Sequence, residues 1–153
     1  MRTPDRLGKD AIAALIPHQG AMCLLEAIDT WSRDAISARA VSHRQPGNPL
    51  RGRDGLPAVA AIEYAAQAMA AHGSLLARED GTVARPGYLV AIRDVRIGVQ
   101  QLDRIEADLE IRATRLAADA GSLMYAFVIA ADQKMILTGR AVVTLERAGE
   151  GGR

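Results

Sequence analysis

Apolar and polar residues alternate in the C-terminal half of the chain with the period of a β-strand. Between residues 105 and 114 every second position is apolar, and the positions between them are charged or polar. This alternation predicts a strand with one buried face. Three or four strands are predicted in this half, over residues 88–99, 105–116, 122–131 and 135–145. Gly121 and the Asp132-Gln133 pair separate the last three and predict tight hairpin turns.

The N-terminal half is predicted to hold one long helix and two further strands. Residues 10–16 form a short predicted helix that Pro17 ends, and residues 21–29 and 35–41 are predicted strands. The segment 42–56 contains three glycines and two prolines, which predicts a loop. Residues 57–77 are the long helix, with Pro57 at its first position, and residues 78–86 form a charged loop.

One helix between runs of strands predicts an α+β architecture, with an antiparallel sheet wrapped around the long helix. The length of 153 residues suits one domain. Residues 1–147 are therefore assigned to a single domain, and residues 148–153 to a flexible C-terminal tail.

Composition narrows the possible classes of function. The chain has 19 Lys and Arg against 18 Asp and Glu, a net charge of +1, which argues against a general nucleic-acid binder. Aromatic residues make up only 3%, so a base-stacking surface is not expected. No apolar run is long enough for a transmembrane helix or arranged as a signal peptide, so we expect no membrane span and a cytoplasmic location. The single cysteine, Cys23, lies in an apolar run and is interpreted as a small buried hydrophobe.

Glu63 is the only formally charged residue in the predicted helix 57–77, which is otherwise rich in alanine. Its carboxyl group lies either on a narrow exposed strip or in a partly apolar pocket, where desolvation would raise its pKa and suit it to acid–base catalysis. Gln67 follows four residues later, on the same helical face, where it could orient the carboxyl group. Free amides at the start of the helix, from Ala58 onward, form a candidate oxyanion site.

The three histidines receive different interpretations. His18 precedes the first strand and is interpreted as a structural hydrogen-bonding residue. His72 lies near the end of the long helix, where a positive charge would favour the helix dipole. His43 opens the loop 42–56, where functional residues often lie, and its structural and functional interpretations stay equally open. The spacing of the three gives no signal for a metal site.

The loop 42–56 is basic, since Arg44, Arg51 and Arg53 face the single acid Asp54. Two interpretations are open. The arginines belong to an ordinary solvated loop, or they form a docking patch for an anionic partner such as phosphopantetheine or an acidic carrier protein.

Two segments of the chain resemble motifs of the hotdog-fold 3-hydroxyacyl-[acyl-carrier-protein] dehydratases. Residues 16–26 resemble the segment in which a Pro-His pair precedes the first strand. Residues 56–68 resemble the central-helix motif, in which an acid follows six residues after a proline and a glutamine lies four residues after the acid. The loop with His43 and Asn48-Pro49-Leu50-Arg51 is similar to that of the divergent branch associated with aryl-polyene-type lipid clusters.

This resemblance implies a hotdog fold and the dehydration of 3-hydroxyacyl thioesters on acyl-carrier protein, in lipid or polyene biosynthesis. Glu63 matches the catalytic acid of the family. The usual His-Phe-Pro-Gly segment of the catalytic histidine is absent, and His43 is the histidine that the loop offers as the base. The resemblance also implies contacts with the substrate at Gln67, Ala58, Asn48 and Arg51, and with the carrier at Arg44 and Arg53.

Partners and cofactors follow from the same resemblance. The substrate arrives on phosphopantetheine, and no metal or redox cofactor is implied. Base and acid come from different subunits in this family, which implies a homodimer or a heterodimer with another hotdog subunit. Two alternatives stay open, a non-catalytic partner subunit of a dehydratase heterodimer and a hotdog acyl thioesterase in which Glu63 activates water.

Overall fold

The computed structural model describes residues 6–18 and 20–147. Within these residues the chain forms two α-helices and six β-strands. In chain order they are α1 (Lys9–Ala13), β1 (Ala27–Trp31), β2 (Ala35–Ala40), α2 (Ala61–Glu79), β3 (Gly87–Ile97), β4 (Leu109–Ala118), β5 (Ser122–Ala131) and β6 (Lys134–Leu145). The predicted tail 148–153 lies outside the described residues, and the assignment of residues 1–147 to one domain stays a prediction.

All six strands join one antiparallel sheet in the order β1-β2-β4-β5-β6-β3. Strands β4, β5 and β6 form the predicted meander, whereas β3 pairs with β6 at the far edge of the sheet. The turn between β5 and β6 places Asp132 and Gln133 at positive φ, the geometry of a two-residue hairpin turn. The predicted α+β fold, with an antiparallel sheet around one long helix, is confirmed.

Helix α2 packs on the concave face of the sheet through small side chains. Its buried positions include Ala61, Ala65, Ala68 and Ala71, and its main contacts are with β2, β4 and β5. Because alanine adds little bulk, the helix approaches these strands closely. The helix lies toward the β2 side of the sheet, so the face of β3 and of the last residues of β6, Val143 and Leu145, stays open beside it.

Several element boundaries differ from the predicted ones. Residues 21–26 do not join the first strand, because a 3₁₀ turn at Gly20–Met22 and an extended segment precede β1. A 3₁₀ turn at Ala58–Ala60 also precedes α2, so Pro57 lies before the helix, and α2 continues to Glu79. Strand β4 begins at Leu109, four residues later than predicted. Ile105 belongs to a turn instead, because its amide donates a hydrogen bond to the carbonyl oxygen of Leu102. None of the described helices is both long enough and apolar enough to span a membrane.

Candidate functional site

A cleft of about 620 Å³ follows the open face of α2. Its floor is formed by the helix, mostly by the small residues Ala66, Ala70, Gly73, Ser74 and Ala77, together with the edges of Met69 and Leu76. On one side it is walled by the segment after α1, through Leu15 and Pro17, and on the other by the concave sheet. The sheet contributes the apolar side chains of Leu89, Leu123, Val143 and Leu145. The cleft is therefore long, mostly apolar and open to solvent in the single chain.

Glu63 lies on the helical face that forms this floor. Residues 63, 66, 70, 73 and 77 follow the three-and-four spacing of one side of a helix. At 1.5 Å per residue, Glu63 is about 4.5 Å along the helix axis beyond Ala66, the first floor residue. Its side chain is exposed. Of the two interpretations of Glu63, the isolated chain shows an exposed position, at the end of an apolar cleft.

Gln67 is fully buried and points away from this face. Its Nε2 donates a hydrogen bond to the carbonyl oxygen of Met22 at 2.6 Å, and its Oε1 accepts one from the amide of Leu24 at 2.9 Å. The side chain thus binds the extended segment before β1, as a neighbouring strand would. Both polar atoms of the residue predicted to orient Glu63 are occupied by this backbone.

His43 is also fully buried, with no exposed surface. Its Nε2 lies 2.9 Å from the carbonyl oxygen of Ile105 and donates to it, since a carbonyl group only accepts. Burial lowers the pKa of His43, so the ring is held neutral. Its Nδ1 is buried without a partner among the described residues. The ring therefore has one fixed orientation, and it does not line the cleft.

Asn48 lies in the same loop as His43 and is held there by three hydrogen bonds. Its Nδ2 donates to the carbonyl oxygen of Ser42 at 2.9 Å and to the hydroxyl oxygen of Tyr64 at 3.1 Å, and its Oδ1 accepts from the amide of Leu50 at 2.8 Å. The side chain is 6% exposed. The amide predicted to contact the substrate is thus engaged inside the chain on both its nitrogen and its oxygen.

The three loop arginines have different surroundings. Arg44 donates to the carbonyl oxygen of Glu106 and lies 3.1 Å from the carboxylate of Asp108, and Arg51 lies 3.7 Å from the carboxylate of Asp103. Arg53 is exposed and makes no ion pair with any described residue. Of the predicted basic patch, Arg53 is the member left fully to solvent.

The start of the long helix also differs from the predicted oxyanion site. The amide of Ala58 donates to the carbonyl oxygen of Gln100 at 3.0 Å. This amide is therefore occupied in the single chain, and a substrate oxygen at Ala58 would have to displace Gln100.

His72 is enclosed between α2 and the sheet rather than charged at the helix end. Its Nε2 lies 2.7 Å from the carbonyl oxygen of Ser32, and its Nδ1 lies 2.7 Å from the hydroxyl oxygen of Tyr125. Complete burial lowers the pKa of His72 and favours the neutral ring. The predicted positive charge is wrong, because the ring is desolvated seven residues before the helix ends.

None of the polar residues that line the cleft was given a functional role by sequence reasoning, and His18, Arg115 and Tyr125 are among them. A signal for Arg115 was present, since the alternation that places Leu109, Ile111 and Ala113 inward continues to position 115. No group of three His, Cys, Asp or Glu side chains suited to a metal ion occurs within residues 6–18 and 20–147.

Comparisons with known proteins agree with this architecture. The model of the ApeP-like family, described as ApeP dehydratase, matches residues 10–148. A comparison with proteins of curated function finds no match. Among solved structures, the dehydratase heterocomplex ApeI:P from Xenorhabdus doucetiae has a TM-score of 0.80 at 24% identity, covering 90% of this chain and 91% of that one.

Two further solved structures extend the likeness. A thioesterase from Haemophilus influenzae has a TM-score of 0.59 at 15% identity, with 96% of each chain covered. Zebra fish thioesterase superfamily member 2 has a TM-score of 0.59 at 17% identity, covering 90% of this chain and 95% of that one. These likenesses confirm the predicted hotdog fold.

Proposed function

Because this chain belongs to the ApeP-like dehydratase family, which its match over residues 10–148 shows, we propose that it dehydrates 3-hydroxyacyl thioesters carried on acyl-carrier protein. The position of Glu63 carries this proposal: it is the one charged residue on the helical face that floors the cleft between positions 63 and 77, and it lies exposed just beyond the first floor residue, Ala66. The cleft would hold the acyl chain along its alanine and glycine floor, with the reacting carbons beside Glu63.

The reaction we propose is a β-elimination. A base removes the proton on the carbon next to the thioester carbonyl group, and the electron pair forms the new carbon–carbon double bond. The carboxyl group of Glu63 protonates the departing hydroxyl group, which leaves as water. The product is an enoyl thioester that stays on its carrier.

We assign the base to a second hotdog subunit. His43, the predicted base, has its Nε2 committed to Ile105 and no exposed surface, so it would have to leave its site to reach a substrate. The solved ApeI:P structure is a heterocomplex, which supports the pairing of this chain with another hotdog subunit. The open face of α2 leaves room for such a subunit.

The edge strand β3 supports the same pairing. Its apolar side chains Tyr88, Val90 and Ile97 are each more than half exposed. An edge strand with unpaired backbone groups and apolar side chains is suited to pairing with another chain. The homodimer stays the alternative arrangement, with the same edge available to two copies.

The test measures turnover of a 3-hydroxyacyl thioester on acyl-carrier protein, by the chain alone and by its complex with a hotdog partner. Glu63→Gln keeps the size of the side chain and removes the acid, so we expect the rate to fall at least about 100-fold. Glu110→Gln is the matched control, because Glu110 is exposed on the outer face of β4, away from the cleft. Equal rates for wild type and Glu63→Gln would reject the assignment.

Two further readouts separate the alternatives. A free acid in place of an enoyl thioester would identify a thioesterase. Full activity of the Glu63→Gln complex would identify the chain as a non-catalytic partner. His43→Gln tests the base: a loss of kcat as large as that of Glu63→Gln, in a folded complex, would return this role to His43.

A further inference from the structure

The cleft is polar at its far end, beside the C-terminal half of α2. Most polar side chains there are already bonded within the chain. Ser74 donates to the carbonyl oxygen of Leu15, Arg33 pairs with Asp80 at 2.7 Å, Arg85 donates to the carbonyl oxygens of Glu146 and Ala120, and Asp119 accepts from the amides of Gly121 and Ser122. Both acids that line the cleft, Asp80 and Asp119, are therefore engaged.

Arg115 is the exception. It lies on the inward face of β4, opposite Tyr125 in the register of β4 and β5. Its Nε is buried without a hydrogen-bond partner, and its side chain makes no ion pair within the described residues. A partly desolvated cation without an anion is costly to a fold. Tyr125 offers Arg115 a neutral acceptor, so what the described residues leave unsupplied is a negative charge, which a ligand could provide.

Two buried residues hold Arg115 against the cleft wall. The Nε2 of His72 donates to the carbonyl oxygen of Ser32, so its neutral Nδ1 accepts the hydroxyl proton of Tyr125. The oxygen of Tyr125 is then left with lone pairs and can only accept further hydrogen bonds. The guanidinium carbon of Arg115 lies 5.8 Å from the centre of the Tyr125 ring, within the range of a cation–π contact.

His18 contributes a second unpartnered nitrogen to the same cleft. It belongs to the segment after α1 and so lies on the wall opposite the sheet. Its Nδ1 is buried and has no partner among the residues that the structure describes. His18 and Arg115 thus line two walls of one cleft, and each has a nitrogen without a partner among the described residues, although that nitrogen itself is shielded from solvent.

The position of Arg115 along the helix sets the reach of the ligand. Tyr125 bonds to His72, so Arg115 lies near the level of His72. Nine residues separate His72 from Glu63, about 14 Å along the helix axis. A group bound at Arg115 is therefore the far end of a chain whose thioester lies at Glu63.

We propose that Arg115, with His18 on the facing wall, binds an oxygen acceptor at the ω end of the acyl chain, and most strongly a carboxylate. This rests on the proposed function for the identity of the ligand as an acyl thioester. It adds a substrate class: acyl chains with a polar, oxygen-bearing terminus rather than a methyl terminus. The apolar floor between Glu63 and Arg115 binds the methylene groups between the two ends.

The experiment measures binding, so that its result does not depend on turnover. Unreactive amide analogues of a 3-hydroxydodecanoyl thioester, with a methyl, hydroxyl or carboxylate ω end, are titrated calorimetrically into the complex. We expect the carboxylate analogue to bind at least about tenfold more tightly than the methyl analogue, the size of one charge-assisted hydrogen bond, with the hydroxyl analogue between them.

Arg115→Met removes the cation and keeps an apolar wall, so the preference should vanish while affinity for the methyl analogue stays. Arg115→Lys keeps the charge and should retain part of the preference for the carboxylate analogue. This variant keeps the proposal testable if Arg115→Met does not fold. Arg112→Met is the matched control, because Arg112 lies on the opposite, exposed face of β4.

Equal affinities for the three analogues in wild type, or an undiminished preference in Arg115→Met, would overturn the proposal. The last ligand tested is phosphopantetheine without an acyl chain. If it binds in an Arg115-dependent way, the acceptor is the phosphate group of phosphopantetheine and the ω-end assignment is wrong. The rate of the Glu63→Gln variant tests the dehydratase proposal, and the binding preference of the Arg115 variants tests the ω-end proposal. Failure of one proposal is therefore recognisable without failure of the other.

Discussion

The loop 42–56 and the cleft along α2 use polar residues in opposite ways. In the loop, Asn48, Arg44 and the buried His43 each bond to backbone groups of the same chain. Buried nitrogens without a described partner occur in both regions, on His43 and Arg51 in the loop and on His18 and Arg115 in the cleft. Of the two regions, the cleft is the one with an open cavity, and the exposed Glu63 lies beyond its end. The loop, which carries more of the recognisable motif residues, is filled by contacts within the chain, whereas the cleft along α2 is accessible to a ligand.

The difference between the loop and the cleft follows from how far the backbone groups of each region are paired by regular secondary structure. The loop has little regular backbone pairing, and buried backbone groups must still find partners, so polar side chains supply them. The cleft is bordered by a helix and strands whose backbones are already paired. Most polar side chains of the cleft are bonded within the chain as well, but His18 and Arg115 each keep a nitrogen without a partner among the described residues.

The largest effect that separates the two regions is expected for Asn48→Ala. This substitution removes three hydrogen bonds and leaves the Leu50 amide, the Ser42 carbonyl group and the Tyr64 hydroxyl group without that partner. We expect a loss of about 2–4 kcal/mol in the free energy of unfolding, measured by urea denaturation. Arg115→Met, in the cleft, should cost nothing or stabilise slightly. Equal losses for both would remove the contrast between loop and cleft.

Sequence reasoning located Glu63 because one charge stands in an apolar helical run, and local spacing was enough to place it on a helical face. The same reasoning could not find the partners of Gln67 or His43. Gln67 bonds to a backbone amide 43 residues earlier, and His43 bonds to a carbonyl group 62 residues later. Such contacts depend on how the sheet brings distant segments together, which spacing along the chain does not encode.

The fold was easier to predict than the site for a related reason. Alternation along β4, the turn residues on either side of β5 and the apolar run of α2 are local signals, and each element forms close to where they predict it. The departures occur where a side chain replaces backbone pairing. Gln67 holds the segment before β1, so an apolar run that resembles a strand remains an extended segment outside the sheet.

Acidification should weaken the fold, because each region encloses a neutral histidine. Burial lowers the pKa of both His43 and His72 in the folded chain, whereas unfolded histidines titrate near about 6.5. Below that pH the unfolded chain binds more protons, so stability falls as the pH drops through about 6.5 toward the folded values. Urea denaturation at about pH 7.5 and about pH 5.5 measures this loss.

Charges near each ring act in both directions. Arg44 and Asp108 lie by His43, and Arg115, Arg33 and Asp34 lie by His72, with desolvation the largest influence in both cases. The His43→Gln and His72→Gln variants should each flatten part of the pH dependence. If only the loop variant does so, His72 is not enclosed as described, and the wall that holds Arg115 is less rigid than its contacts indicate.

The smallest effect on stability is expected for Arg53, the one loop arginine that the fold does not use. Arg53→Ala should change the free energy of unfolding by no more than about 0.5 kcal/mol, since the side chain is exposed and unpaired within the described residues. If Arg53 docks the carrier, the Arg53→Ala variant should still bind acyl-carrier protein more weakly than the wild type does. The difference in affinity between the two should shrink as salt is added. Arg44→Ala is the comparison, because it loses contacts with Glu106 and Asp108 and so costs up to about 1 kcal/mol. An equal loss of carrier affinity in Arg44→Ala would show that one loop residue serves both the fold and the partner, and the division between closed loop and open cleft would then fail at this position.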